Sequence, residues 1–245
     1  MTRKKQNKES MLGPFVHMVC SNLNPFCPQA YGAKLYDENS VRSLTYQARG
    51  VYGLSSNSAG DAAIYLSPHP TNSVSIATLV GGTVTAWGGY IANSFNTGIG
   101  STNDGYYRIV SWGIKWETTA AWTVASGQMV ISECSEFTPL ATGQVVSSLN
   151  YGVNAELTSV RDAKFSIIGK PQGLKSCDYL AFASTEYPAY SSYMITIGGA
   201  PASTACGIIE YIVNYEWTPR TNVGYNFMAS PAAPGIPGII SARSN

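Results

Sequence analysis

Apolar residues along this chain recur chiefly at every second position, in short runs rich in Val, Ile, Thr, Tyr and Trp. Gly, Pro, Asn and Ser punctuate the runs, and helical spacing is scarce. That pattern predicts strands joined by turns. Leu44–Tyr52 reads as the first strand and Asp61–Ser67, stopped by Pro68 and Pro70, as the second. The intervening "SNSAGD" has hairpin chemistry, with Gly60 near the turn. Val74–Leu79 and Thr83–Ile91 follow across Gly81-Gly82, then the loop-like "ANSFNTGIGSTNDG".

Tyr106–Glu117, "YYRIVSWGIKWE", is the clearest strand. Strict alternation puts Tyr106, Arg108, Val110, Trp112, Ile114 and Trp116 on a core-directed face and Tyr107, Ile109, Ser111, Gly113, Lys115 and Glu117 on a mixed one. Gln128–Glu133 is expected to be its antiparallel partner. Asn154–Lys164 carries mixed i, i+3, i+4 spacing and is expected to form a helical turn or two. Lys164–Ile168, Asp178–Ala183 and Tyr193–Ile197 read as short strands. Ala205–Trp217 reads as a long last one, with Ile209, Tyr211, Val213, Tyr215 and Trp217 on one face. The count is about eight to ten strands with at most a helix or two, an all-β sandwich whose paired sheets hide their edges. The Pro- and Gly-rich tail from Ser230 is expected to be extended.

Composition changes this picture in one respect. Charged residues are only 12 % of 245, about half the usual share. Such a surface suits cover by neighbours as well as a Ser/Thr-rich solvated face. The charge is uneven: Arg3, Lys4, Lys5 and Lys8 against Glu9 make the first ten residues +3, while the whole chain is +1. A basic arm on a near-neutral body fits nucleic acid or an anionic surface. A single such arm binds weakly, and many tethered copies bind strongly.

Catalytic and metal chemistry find little support. The five cysteines contain no Cys-x-x-Cys pair, and His17 and His69 are not spaced as ligands, so zinc is not expected. Their odd number favours reduced, mostly buried thiols. Met11–Cys20 is too short to span a membrane and contains Pro14. With no signal peptide and no Asn-x-Ser/Thr sequon, synthesis in the cytosol is expected. Gly-x-Ser-x-Gly and the P-loop are absent. Glu133 with Glu136, or Glu210 with Glu216, would be the carboxylate pairs of a glycosidase, but alternating Glu on a strand is ordinarily solvated. Trp87, Trp122, Tyr187 and Tyr190 are the stacking residues of the alternative, a carbohydrate-binding, lectin-like module. Asp37, Glu38, Asp61 and Asp104 could contribute to an intersubunit calcium site, though turn-forming is the simpler role. No cofactor is expected. Self-cleavage at Asn154-Ala155 has no positive signal.

The segment "NPFCPQAYGAKLYDENSVRSLTYQARG" resembles the entrance to the shell domain of noda-like and tombus-like viral capsid proteins. "GDAAIYLSPHP", "YYRIVSWGIKWETTAAWTVASGQMVIS" and "GIIEYIVNYEWTP" resemble later strands of that domain, in order, across Asn24–Pro219. The resemblance implies a single eight-stranded jelly roll that self-assembles into an icosahedral shell around an RNA or single-stranded DNA genome, with no enzymatic activity. It implies a flexible arm over residues 1–23, disordered or extended, a shell domain over 24–219 and an extended tail over 220–245. Arg3, Lys4, Lys5 and Lys8 would meet genome phosphates, with Lys34, Arg42 and Arg49 adding to the inner surface. Pro25–Asn39 would run between subunits. Against that resemblance the arm is short and poor in Arg, a spike domain after Pro219 is expected to be absent or reduced to loops, and no clear calcium motif is present. Ala92–Gly105 and Thr185–Ser192 are candidate receptor-binding loops by expected exposure. Host, genome type and subunit number are not legible.

Overall fold

The computed structural model describes residues 9–35, 43–97, 105–121, 125–134, 142–143, 145, 153–182, 184 and 188–218. One helix, α1 (Glu9–Leu23), precedes eleven strands. These are β1 (Leu44–Ser55), β2 (Ala62–Leu66), β3 (Val74–Val80), β4 (Thr83–Trp87), β5 (Tyr106–Thr118) and β6 (Gln128–Cys134). After them come β7 (Val153–Ser159), β8 (Lys164–Ile168), β9 (Leu180–Ala181), β10 (Ser192–Gly198) and β11 (Ala205–Thr218).

The strands form two antiparallel sheets. One runs β1-β11-β5-β8, with β9 beside the other end of β5; the second runs β4-β3-β2-β10-β6-β7. Setting aside the β3–β4 hairpin and β9 leaves eight strands, the first paired with the last and the second with the last but one. That nesting of two Greek keys is a jelly roll. It also overturns two local expectations. "SNSAGD" does not close a hairpin: β1 pairs with β11 and β2 with β10 and β3, so this turn carries the chain between sheets. Likewise β6 pairs with β10 and β7 rather than with β5. Hairpin chemistry specifies a chain reversal; burial decides which sheet receives the returning strand.

The core lies between the sheets. Ile209, Tyr211, Val213, Tyr215 and Trp217 of β11 all face it, as alternation predicts. On β5 alternation fails midway. Asn214 stands opposite Ser111, but Tyr215 stands opposite Ile109, so Val110 is an extra residue, a β-bulge. Tyr107 and Ile109 therefore face the core before the bulge, and Trp112, Ile114 and Trp116 after it. Arg108, expected with Trp112, is turned to the outer face instead. The Tyr190 hydroxyl donates to the Ile109 and Val110 carbonyls, supplying a partner where the ladder breaks.

Large rings need room. A Cβ on Gly169 would collide with the Trp112 indole, and one on Gly50 with the Tyr211 ring. Both positions are reserved for glycine by the close approach of an aromatic side chain. Phe95 stacks on Tyr215 with centroids 4.3 Å apart and contacts Tyr46, Tyr107 and Phe182. It lies in a stretch expected to be an exposed loop, and it is fully buried.

Two further expectations are corrected. Glu9–Leu23 is helical rather than disordered or extended, and the helix runs through Pro14, which removes one intrahelical donor. Docking on β5 offsets that loss, as most short helices require. Val153–Ser159 is an edge strand, followed by a short 3₁₀ turn at Val160–Asp162, where a helix was expected. Pairing with β6 outweighs a mixed helical spacing.

Candidate functional site: the clamped entrance

The outer face of the β1-β11-β5-β8 sheet receives the chain as it arrives from the N-terminus. Thr45, Gln47, Arg49 and Val51 of β1 and Ile208, Glu210, Ile212, Asn214 and Glu216 of β11 alternate with the core residues and so point outward. The bulge adds Arg108, Ser111, Gly113, Lys115 and Glu117 of β5 to the same face.

At one end of this face Arg108 and Glu216 form a buried ion pair, their side chains 2 % and 3 % exposed. Arg108 donates to Glu216 Oε2 through Nε at 3.0 Å and a terminal nitrogen at 2.8 Å. Its other donors reach the carbonyls of Leu35 and Cys177, and its guanidinium lies 4.4 Å from the centre of the Tyr179 ring. Glu216 also accepts from the Leu35 backbone N–H and the Ser43 hydroxyl. The Lys34 ammonium donates to the Ser43 carbonyl at 2.6 Å. Burial lowers the Lys34 pKa; Glu216 opposes that shift and Arg108 adds to it. Burial, and then Glu216, raises that of Tyr179. The two ends of the entrance, Lys34-Leu35 and Ser43, are thus fastened to one carboxylate.

A second fastening lies further along. Asn214 donates to the Pro25 carbonyl at 3.2 Å and to the Ser111 hydroxyl at 3.0 Å, and accepts from Gln47 at 2.8 Å. Ser21 of α1, fully buried, bonds the same Ser111 hydroxyl. Phe26 and Pro25 sit over Gly113, and the Lys115 ammonium lies 4.0 Å from the centre of the Phe26 ring. These bonds fix where the end of α1 and the segment after it meet the sheet.

The site residues expected from sequence fare differently. Arg49 is exposed on β1 and donates to Gln47. Lys34 is 6 % exposed, its ammonium turned into the clamp rather than outward. Arg3, Lys4, Lys5, Lys8 and Arg42 lie outside the described residues, as do Asp37, Glu38, Asp104, Trp122, Glu136, Tyr187 and the tail from Pro219. Arg108 and Asn214 were not singled out for a site, and Glu216 only as one of a glycosidase pair. Their signal is a polar side chain recurring within otherwise aromatic and branched strands.

Other chemistry gains no geometry. Tyr190 is buried under β5 rather than displayed for a sugar. Glu133 pairs with Lys170 at 3.3 Å, and Glu216 is committed to Arg108. Among the described residues of the single chain, Asp61 included, no three His, Cys, Asp or Glu converge as metal ligands. His69 is buried, its Nδ1 accepting from the Thr71 backbone N–H at 3.2 Å, and burial lowers its pKa to about 4. Of the cysteines, Cys206 is buried, Cys177 exposed and the rest half-buried. Among the described residues no helix is long and apolar enough to cross a membrane.

Solved structures share the fold across 73 to 98 % of the chain. That of infectious bursal disease virus Gx strain superposes with a TM-score of 0.64 at 9 % identity, over 94 % of this chain and 93 % of that one. The infectious bursal disease virus T13 viral particle gives 0.61 at 10 % identity, over 98 % and 91 %. Tobacco necrosis virus gives 0.51 at 13 % identity, over 73 % and 97 %. The fold is that of a viral capsid shell domain. No family model and no curated protein matches the sequence. At these identities the likeness lies in how the shell-domain strands are nested, not in shared side chains.

Proposed function

We propose that this chain is the structural coat protein of a small icosahedral virus, acting by self-assembly and not as an enzyme. One observation carries the reading: a jelly roll whose end-to-end likeness to viral capsid structures spans over nine-tenths of both chains. The charge-poor composition suits a subunit that buries much of its surface against neighbours. In this reading Arg3, Lys4, Lys5 and Lys8 contact genome phosphates without sequence preference, with Arg42 and the exposed Arg49 beside them. Lys34 acts indirectly, by holding the entrance to the first strand. The chain is made in the host cytoplasm and works in the virion.

Electron microscopy of the expressed protein tests the assembly. Uniform closed particles support it, and a monomer in every buffer overturns it. Deleting Met1–Lys8 leaves α1 and the clamp in place. That deletion should lower the nucleic acid co-purifying with the particles while closed shells still form; unchanged nucleic-acid content would remove the arm from the proposal.

A further inference from the structure

Among the described residues, the entrance covers the Glu216 end of the outer face of the β1-β11-β5-β8 sheet and leaves the other end uncovered. Beyond Phe26 the face is open, and a depression of about 520 Å³ lies between β1, β11, β5 and β8. Val51, 65 % exposed, and Ile208, 42 % exposed, present apolar surface there. Lys115, Lys164, Glu117 and Glu210 surround them. Apolar residues in the middle of an exposed sheet face mark an interaction surface.

Resting on the coat-protein reading, we infer that this open half-face docks a second copy of the same chain. The charge of the rim is the first argument. Two lysines face two glutamates, so the depression has no net charge to draw a phosphate backbone or a uniformly charged partner. A copy of itself presents the same balanced set, which a symmetric contact can pair. Shape is the second argument. A helix about 10 Å across stands on one half of the face and a hollow on the other, so the surface carries both a projection and a recess. In the described part of the helix Val16 and Leu23 are exposed beside the polar Asn22, and no Asp, Glu, Lys or Arg occurs from Ser10 to Leu23.

The test is the double variant Val51→Glu, Ile208→Glu in the full chain, with Leu174→Glu, at a residue 91 % exposed elsewhere, as control. Both Val51 and Ile208 are solvent-exposed, so the dissociated subunit should keep the wild-type circular dichroism and melting temperature. Particle yield by sedimentation should fall roughly tenfold or more in the double variant, as expected when charge is buried unpaired at a contact, and stay at wild type in the control. Undiminished yield overturns the surface. So does a change confined to packaged nucleic acid, or a lower melting point of the subunit with yield unchanged, which would place an intramolecular occupant there. If the wild type makes dimers but no particles, and the double variant abolishes those dimers, the surface stands while the coat-protein reading falls. If the wild type associates in neither way, both fall.

Discussion

The β1-β11-β5-β8 sheet is buried on both faces at its Glu216 end, but by different physics. Its inner face is closed by rings: Tyr107, Trp112, Trp116, Tyr211, Tyr215 and Trp217, with glycines left bare to receive them. Its outer face is closed by directed bonds from the entrance to Arg108, Ser111, Asn214 and Glu216. Ring burial is strong and weakly directional, so it holds the sandwich together without dictating one path for the chain. Charge-assisted bonds contribute less net stability, yet each demands its own partner. The inner face thus supplies stability, and the outer face fixes the path of the segment that follows α1.

The comparison breaks most visibly if a ring is removed. Trp112→Ala should cost about 4 kcal/mol in denaturant unfolding, while the entrance of the remaining folded fraction keeps its protease resistance. Glu216→Gln should cost about 3 kcal/mol by leaving Arg108 and Lys34 buried without a carboxylate. Unlike the tryptophan variant, it should open the segment between Leu23 and Ser43 to limited proteolysis in the native state. If the two variants show the same cleavage pattern, the division between the faces is wrong.

Acid acts on the end of the inner face. The turn holding His69 is fixed to the core, since the Tyr215 hydroxyl donates to the Pro68 carbonyl and accepts from Asn93, both at 2.6 Å. The folded-state pKa of about 4 lies below the ordinary 6.5, so in that window only the unfolded chain takes up the proton. The contribution is complete above pH 6.5 and is lost as pH falls towards 4, by about 3 kcal/mol at about 1.4 kcal/mol per pKa unit. Urea melts across that range check it, and His69→Gln should flatten the slope. The smallest effect belongs to the outer face. Ser111→Ala should cost about 1 kcal/mol and loosen α1 by removing the hydroxyl shared by Ser21 and Asn214, seen as faster amide exchange in α1.

Much of the architecture is legible in the sequence wherever a strand repeats without interruption. β11 shows its core face outright, because five large residues alternate without a break. β5 shows its extent but not its facing: one extra residue at Val110 reverses everything before it, and nothing in "YYRIVSW" marks which residue is extra. β7 was hidden because its own periodicity is ambiguous and only its pairing with β6, the strand before it, settles its conformation. The candidate site was legible in outline only. The entrance stood out as a segment, yet the side chains that hold it come from β5 and β11, and Lys34 proved to belong to the clamp.

By itself the sequence determined the all-β class, the position of most strands, the asymmetry between a basic arm and a near-neutral body, and the lack of a convincing catalytic motif. These follow from local propensity, period-two burial and charge counting, which need no knowledge of distant partners. Only the tertiary structure decided that the first strand lies beside the last, that Arg108 meets Glu216, and that, among the described residues, one end of a sheet face remains uncovered. Each of these depends on contacts between residues far apart in the chain, where pairing across the sheet and the bulge, rather than local preference, select the neighbour.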